Sequence, residues 1–470
     1  MAATQRMTGP SIVFSEGTLV LTEVPEGWVR QHFPEGPWVW DARAGVWRTD
    51  ALHYAQVRRV CRGGDVPVED EVPAWSPVAW PTVRLHPLRE EQEAAVEAWR
   101  QSGRGVVVMP TGTGKTEVAL HIMAKAARST LVVAPVRDLM YQWHRRIQAG
   151  LGYDAGIIGD SIYRLNPVSV TTYDSACIHM HRLGNRFELI VFDECHHLPG
   201  PLRREAALMS AARFRLGLTA TLERSDGRHV DLQTLIGPTC YELKLSAVRG
   251  RTVADYEVIR IVVHLSEPER RRYRELADQV RNYMQARREE QPDFSWEDLC
   301  KDVGRNAEAR AALRAYRAKM AIEERAEEKL RVLEDLFRLH AGAPALVFVG
   351  SNAMARDISR RFLIPCLLSH CGKKERLDAL EGLADGTYPA VVANRVLDEG
   401  VDLPAVNVAI VIGGGASARQ AVQRLGRVLR RSGNAKAVLY EIVTDDTNEV
   451  KRSRSRRAAD AYTGTRHRRA

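Results

Sequence analysis

The sequence predicts an α/β protein with two parallel-sheet domains, a small N-terminal α+β domain and a helical insert. Three observations predict it. From Leu88 onward, short continuous apolar runs alternate with helical stretches, the pattern of a parallel sheet covered on both faces. One run, Val106-Val107-Val108, opens into the loop Met109-Pro110-Thr111-Gly112-Thr113-Gly114 and then Lys115-Thr116. Another, Leu189-Ile190-Val191-Phe192, ends in the paired acids Asp193 and Glu194.

The chain has 470 residues, enough for two to four domains with separate cores. Its 45% apolar and 27% charged residues are ordinary for a soluble globular protein. No apolar run approaches the roughly 20 residues of a membrane span. The N-terminus lacks a basic-then-apolar signal pattern, so an intracellular, cytoplasmic protein with no membrane partner is expected. The seven cysteines are scattered without a CxxC pair, which argues against a zinc ribbon, a disulfide framework and an iron–sulfur cluster. A net charge of +9 and a pI near 9.2 fit a polyanionic partner.

Residues 1–85 read as a β-rich unit with one helix near 52–60. Tryptophans are dense here (Trp28, Trp38, Trp40, Trp47, Trp75, Trp80). They either fill a small core or, in part, stack on nucleic-acid bases. The proline-rich passage 72–87 reads as a linker. Residues 86–248 form the first α/β domain: a helix at 89–100 with Val96 and Trp99 inward, the glycine loop and its helix, then strands at 130–134, 168–172, 188–192 and 215–219. Residues 249–447 form the second. It contains a strand at 258–265, a charged helical insert at about 266–340, and strands at 345–349, 363–368, 390–393, 408–412 and 437–442. Arginine runs in the insert are either a solvated face or a track for phosphates. The tail, 448–470, is strongly basic and is expected to be disordered. No fixed-period repeat suggests a solenoid.

The chemistry follows from the loop and the acids. A strand, a glycine loop and a helix N-terminus present backbone amides to a polyphosphate. Gly112, Thr113 and Gly114 let phosphate oxygens approach the backbone; Lys115 reaches the β and γ phosphates; Thr116 places its hydroxyl on Mg²⁺. Met109 stands where the strict Walker pattern has glycine. Asp193 holds Mg²⁺, through water, and Glu194 positions or deprotonates the attacking water. Two adjacent carboxylates are costly unless a cation neutralises them. Arg427 and Arg430 are three apart and share a helix face, placing two positive charges side by side.

The string Asp193-Glu194-Cys195-His196 resembles the DExH motif of superfamily 2 helicases, whose fold has two RecA-like domains. The resemblance implies ATP and Mg²⁺ as cofactors. It makes Leu88-Arg89-Glu90-Glu91-Gln92 a Q motif, with Arg89 and Gln92 as adenine contacts. Ala134-Pro135-Val136-Arg137 and Val170-Thr171-Thr172-Tyr173 resemble motifs Ia and Ib, placing Pro135, Arg137, Thr171 and Thr172 on nucleic acid, together with Ser351 of motif IV. Thr219-Ala220-Thr221 resembles motif III, with Thr219, Thr221 and His196 coupling hydrolysis to movement. Gly400 and Asp402 of motif V bind nucleotide. Gln423, Arg427 and Arg430 of motif VI are catalytic, the arginines as fingers that need domain closure and Gln423 as a partner for His196. A loop without glycine at position 109 is common in this superfamily.

Within superfamily 2 the chain resembles the XPB family of DNA-repair and transcription helicases, in its short archaeal and bacterial form. Asp193-Glu194-Cys195-His196-His197-Leu198-Pro199, Gly217 to Arg224 and Val396 to Asp402 carry the likeness, which spans about 88–443. It implies an ATP-dependent 3'-5' DNA translocase or helicase that opens DNA in nucleotide excision repair with a partner endonuclease. It also implies an N-terminal damage-recognition domain and a thumb-like insert. Arg224-Ser225-Asp226 stands where the family has Arg-Glu-Asp, so the role of that triplet does not carry over. Two alternatives stay open: an ATP-gated DNA-binding scaffold that recruits a nuclease, and a restriction-type translocase subunit.

Overall fold

The computed structural model describes all residues except 1–8, 25, 34–35, 64–66, 223–225, 245–246, 248–255, 369, 395–405, 414–436, 458–465 and 470. The chain divides into two compact units, Met1–Lys244 and Leu245–Ala470.

The first unit opens with a five-stranded sheet of β1 (Ser11–Ser15), β2 (Thr18–Thr22), β3 (Val39–Asp41), β4 (Val46–Asp50) and β5 (Glu69–Asp70), in the order β3-β4-β2-β1-β5. Helices α1 (Glu26–His32) and α2 (Tyr54–Gly63) cover it. Trp28 and Trp47 lie in its core with Ile12, Leu19 and Tyr54, as core-filling tryptophans should, whereas Trp40 is 49% exposed. Ala211, from far along the chain, completes the same core, so this small sheet is anchored to the larger domain of its own unit. The proline-rich passage is likewise strapped down: Ala74 N–H donates to the Asn185 carbonyl and the Trp80 indole to the Ala124 carbonyl.

That larger domain is built on an eight-stranded sheet. Its strands are β6 (Arg104–Val108), β7 (Thr130–Ala134), β8 (Gly156–Gly159), β9 (Ile162–Arg164), β10 (Val168–Thr172), β11 (Leu189–Asp193), β12 (Phe214–Thr219) and β13 (Thr239–Glu242). The order is β13-β6-β12-β11-β7-β10-β8-β9, parallel except for the β8–β9 hairpin. β7, β10 and β11 are buried along their whole length, which is why β7 and β11 read as nearly continuous apolar runs, while β10 also carries the buried hydroxyls of Ser169, Thr171 and Thr172. Helices α3 (Glu90–Ser102), α4 (Lys115–Ala126), α5 (Arg137–Leu151) and α6 (Tyr173–Leu183) run between the strands. Gly103 ends α3 at φ 68°, and a side chain there would strike the Phe214 ring, so both backbone and packing require glycine.

The second unit has a seven-stranded parallel sheet. Its strands are β14 (Tyr256–Val263), β15 (Ala345–Val349), β16 (Cys366–Leu367), β17 (Ala390–Asn394), β18 (Val408–Ile412), β19 (Ala437–Thr444) and β20 (Arg466–Arg469). Their order is β16-β17-β15-β18-β19-β14-β20. Helices Glu267–Glu290, Trp296–Asp302 and Ala307–Glu324 follow β14 along the chain, before β15. The arginines of the first insert helix pair along its surface, Arg270 with Glu267 and Arg272 with Glu275, the solvated-face alternative.

Two expectations change here. The helix Glu327–Leu339 does not belong to the insert, since Val332, Leu333 and Leu336 pack into the sheet core with Val347 and Ile410. Its amphipathic stripe is what separates it from the more polar helices before it. The basic tail is not disordered over its described residues. Asn448–Arg457 is a helix, and Arg466–Arg469 pairs parallel with β14. Composition misled because the helix docks through polar groups. Glu449 meets Lys329 at 2.7 Å with both side chains fully buried, Arg452 pairs with Glu323, and the Ser453 hydroxyl donates to Glu441 at 3.0 Å.

Candidate active site

The strand register of the first unit assembles the site. Val108 pairs with Thr219, and Leu218 with Asp193, so β6, β12 and β11 end in one row at the carboxyl edge of the sheet. The glycine loop, the Asp193-Glu194 pair and the Thr219-Ala220-Thr221 segment therefore leave from three adjacent strands. Ligands of open α/β sheets bind at this edge.

Between β6 and α4 the chain turns through Gly112 at φ 82° and Gly114 at φ 85°. A side chain at Gly114 would come within 2.3 Å of the Gln92 amide nitrogen, so no other residue fits without displacing Gln92. Lys115 is 6% exposed, and its ammonium folds back to donate to the Met109 carbonyl at 3.1 Å. Thr116, in the first turn of α4, is half-buried. Gln92 is 2% exposed: its Nε2 donates to the Thr113 carbonyl at 2.8 Å, and its Oε1 accepts from the Arg89 N–H at 2.9 Å. The amide nitrogen thus braces the loop while the amide oxygen caps the start of α3. Arg89 lies exposed beside the loop.

At the end of β11, Asp193 is buried and Glu194 turns sharply out of the strand at φ 45°. That left-handed conformation is unusual for a residue with a side chain and costs on the order of 1 kcal/mol. It aims the two carboxylates differently within one dipeptide. Burial first, and then Glu194, push the Asp193 carboxyl up to about 6, while Trp143 and Lys115 pull it down. This pairing of carboxylates beside a buried ammonium and a glycine cradle fits a divalent cation with a polyphosphate.

Sequence reasoning missed two partners of Asp193. The Trp143 indole donates to its Oδ2 at 2.8 Å, and the Tyr173 hydroxyl donates to its backbone carbonyl at 3.0 Å. Trp143 sits on the inward stripe of α5 with Met140 and Ile147. A buried indole N–H needs an acceptor, which is the signal that could have found it.

His196 lies in the short turn after Glu194. Its Nδ1 is 3.0 Å from the Thr219 hydroxyl and 3.5 Å from a Glu194 carboxylate oxygen. The Thr219 hydroxyl also donates to the Thr221 carbonyl and accepts from the Thr221 N–H, at 2.7 and 3.2 Å. The three predicted coupling residues are thus brought together beside Glu194.

The residues predicted to touch nucleic acid divide. Arg137 is exposed at the start of α5 and pairs with Asp160 at 2.6 Å. Thr172 caps α6 by accepting from the Ser175 N–H. Pro135 is buried, and Thr171 is 1% exposed with its hydroxyl donating to the Ile158 carbonyl. The side chains of Pro135, Thr171 and Thr172 are thus buried, and that of Arg137 is exposed. In the second unit Ser351 caps the helix Asn352–Phe362. Val349 pairs with Asn394 and Ile412, so the chain leaves β15, β17 and β18 at one edge. Gly400, Asp402, Gln423, Arg427 and Arg430 lie outside the described residues, as do Arg224 and Ser225.

Residues 12–72 match the xeroderma pigmentosum group B helicase damage recognition domain, 85–224 the type III restriction enzyme res subunit, and 328–432 the helicase conserved C-terminal domain. The DNA 3'-5' translocase XPB2 of Sulfurisphaera tokodaii is 37% identical over 419 residues, covering 89% of this chain and 95% of that protein. The chain belongs to the XPB family. The DNA 3'-5' helicase XPB of Mycobacterium tuberculosis is 27% identical to this XPB-family chain, over 77% of this chain and 61% of that protein. Against such longer relatives the chain spans about three fifths of their length. In fold it is similar to the helicase domain of Pyrococcus furiosus Hef (TM-score 0.56, 16% identity, 78% of this chain and 98% of that one). It is also similar to S. cerevisiae Dbp5 (TM-score 0.51, 15% identity, 82% and 90%). These likenesses show the two RecA-like domains of a helicase fold. No helix among the described residues is long and apolar enough to cross a membrane.

Proposed function

We propose that this XPB-family chain is an ATP-driven 3'-5' DNA translocase that opens DNA in nucleotide excision repair, alongside a partner endonuclease. One observation carries the reading. Lys115, the Asp193-Glu194 pair and the His196–Thr219 contact converge at one sheet edge, in a chain that matches a DNA 3'-5' translocase along nearly its full length.

When bound, Mg²⁺-ATP supplies the phosphoanhydride bond and the metal charge that shields its oxygens. The loop amides around Gly112, Thr113 and Gly114 hold the phosphates, and Gln92 keeps the loop in shape from below. Lys115, now on the Met109 carbonyl, would hold phosphate oxygens. Thr116 and Asp193 hold the metal, with Trp143 fixing the orientation of the Asp193 carboxylate. Glu194 orients water and accepts its proton. Arg89 lies at the adenine end. The family resemblance assigns Gly400 and Asp402 to nucleotide binding and Gln423, Arg427 and Arg430 to catalysis. Arg137, Thr172 and Ser351 contact the DNA backbone. The family match at residues 12–72 supports a damage-sensing role for the N-terminal sheet.

ATPase rates measured on single-stranded, duplex, forked and bubble DNA, and on RNA, test this reading. DNA should raise the rate, and Glu194→Gln should bind ATP yet turn it over at least about 100-fold more slowly. A rate raised by RNA but indifferent to DNA overturns the DNA assignment. Duplex opening that survives Glu194→Gln favours an ATP-gated scaffold over a motor.

A further inference from the structure

The β8–β9 hairpin at the outer end of the first unit's large sheet carries large side chains that the core does not use. Ile162 is 40%, Tyr163 55% and Ile178, on α6, 64% exposed. Tyr163 and His179 stand edge to face, with ring centroids 5.2 Å apart. Apolar surface on an edge strand invites unwanted pairing, so proteins rarely leave it open without a use.

Register places this pair next to the site edge. Tyr163 pairs with Ile158, Ile158 with Thr171, and Thr171 with Val133, one row in from the strand ends that carry Thr172 and Ala134. The hairpin tip is pinned at that edge, because Asp160 accepts from the Tyr141 hydroxyl at 3.0 Å and pairs with Arg137. The surroundings are basic. Arg182 is exposed and close enough to His179 to lower its pKa, after burial and His181. The neighbouring acids are taken up, Asp154 by Arg164 and Asp160 by Arg137. The ring pair therefore stands open beside one exposed arginine, Arg182.

We propose that Tyr163 and His179 form a stacking platform for an unpaired base of single-stranded DNA leaving the motif Ia–Ib edge. The inference rests on the DNA-translocase reading. Every base offers a flat π-face, so stacking holds a strand without reading its sequence, while Arg182 meets a flanking phosphate. Paired bases keep their faces covered inside the duplex, so the platform distinguishes unpaired from paired DNA. Arg182, exposed beside His179, favours a phosphate-bearing strand over a neutral apolar partner.

The test is equilibrium binding, by fluorescence anisotropy, of the full chain to a duplex with a 3' single-stranded overhang and to the same duplex with an abasic overhang. Tyr163→Ala should bind the normal overhang about tenfold more weakly, the worth of one stacked base. Tyr163→Phe should bind as the parent does. On the abasic overhang all three should bind alike. Equal binding of parent and Tyr163→Ala to the normal overhang overturns the platform, and so does an equal loss on both overhangs. The substitution lies on an exposed side chain, and a thermal melt checks that the fold is intact. If the parent ATPase responds to no DNA, the translocase reading fails, and the overhang comparison still reports on the platform by itself.

Discussion

The Nδ1 of His196 meets the Thr219 hydroxyl at 3.0 Å, and that hydroxyl donates its single hydrogen to the Thr221 carbonyl at 2.7 Å. Thr219 can therefore only accept from His196, so Nδ1 carries the proton. The contact ties the turn after Glu194 to the end of a neighbouring strand. Thr219→Val removes the acceptor with little change in volume. It should leave ATP affinity near the parent value and lower DNA-stimulated turnover about tenfold, the scale of one hydrogen bond. Nucleotide binding and translocation measured on the same preparation check this. Unchanged translocation would remove the contact from the coupling path.

Gln92 braces the phosphate loop through its amide nitrogen and ties that loop to the start of α3 through its amide oxygen. Gln92→Ala should weaken ATP and GTP binding in parallel, by about tenfold. A competition titration with both nucleotides decides the matter. A change in the preference for ATP over GTP would show that Gln92 also reads the adenine.

Arg215 is fully buried, and its guanidinium donates to the carbonyls of Ala207, Ser210, Ala212 and Leu235. Ala207, Ser210 and Ala212 lead into the start of β12, Leu235 lies in the turn of helix before β13, and Ala211 joins the core of the N-terminal sheet. Arg215→Met orphans several buried acceptors and should cost at least about 3 kcal/mol in urea unfolding. Arg215→Lys should recover only part of this, because an ammonium cannot reproduce the planar fork. Full recovery by lysine would mean that charge, not geometry, holds the segment.

Lys329 and Glu449 are fully buried and 2.7 Å apart, and Glu449 also accepts from the Thr444 N–H. Glu449→Ala strands a buried ammonium and should cost about 3–5 kcal/mol. The double replacement Lys329→Met with Glu449→Leu should cost much less, since it removes both charges. Thermal unfolding of the three proteins tests this, and equal losses in single and double variants would count against a buried ionic latch.

Ser295 and Asp298 form a capping box on the helix Trp296–Asp302. The Ser295 hydroxyl first, then Lys301, hold the Asp298 carboxyl down at about 2. A folded pKa below the ordinary 3.8 means the cap contributes above that value and is lost as pH falls through about 2. In Ser295→Ala, an NMR titration should find the Asp298 pKa moved up toward 3.8. No movement would assign the effect to Lys301.

Most of the architecture was legible because buried parallel strands leave unbroken apolar runs. β7, β10, β15 and β18 fall on the residues expected for them. The β8–β9 hairpin escaped notice, as Gly156 and Gly159 bracket only two apolar residues. β13 has no apolar run, because it pairs at an edge. The tail helix read as solvated, since its burial depends on Lys329, Glu323 and Glu441, which lie elsewhere in the chain.

The chemical inventory was set by sequence alone: a glycine loop ending in Lys115-Thr116, a strand ending in Asp193-Glu194, and the motif order of a superfamily 2 helicase. Local spacing suffices for these, because each motif is a strand end and the turn beside it. Tertiary structure decided which motifs meet and which side chains are free to act. Strand order alone puts β6, β12 and β11 side by side, bringing His196 to Thr219 and Trp143 to Asp193. The same sheet encloses Thr171 and leaves Tyr163 open at its edge. Burial and contact between distant residues depend on strand order, which no local pattern records.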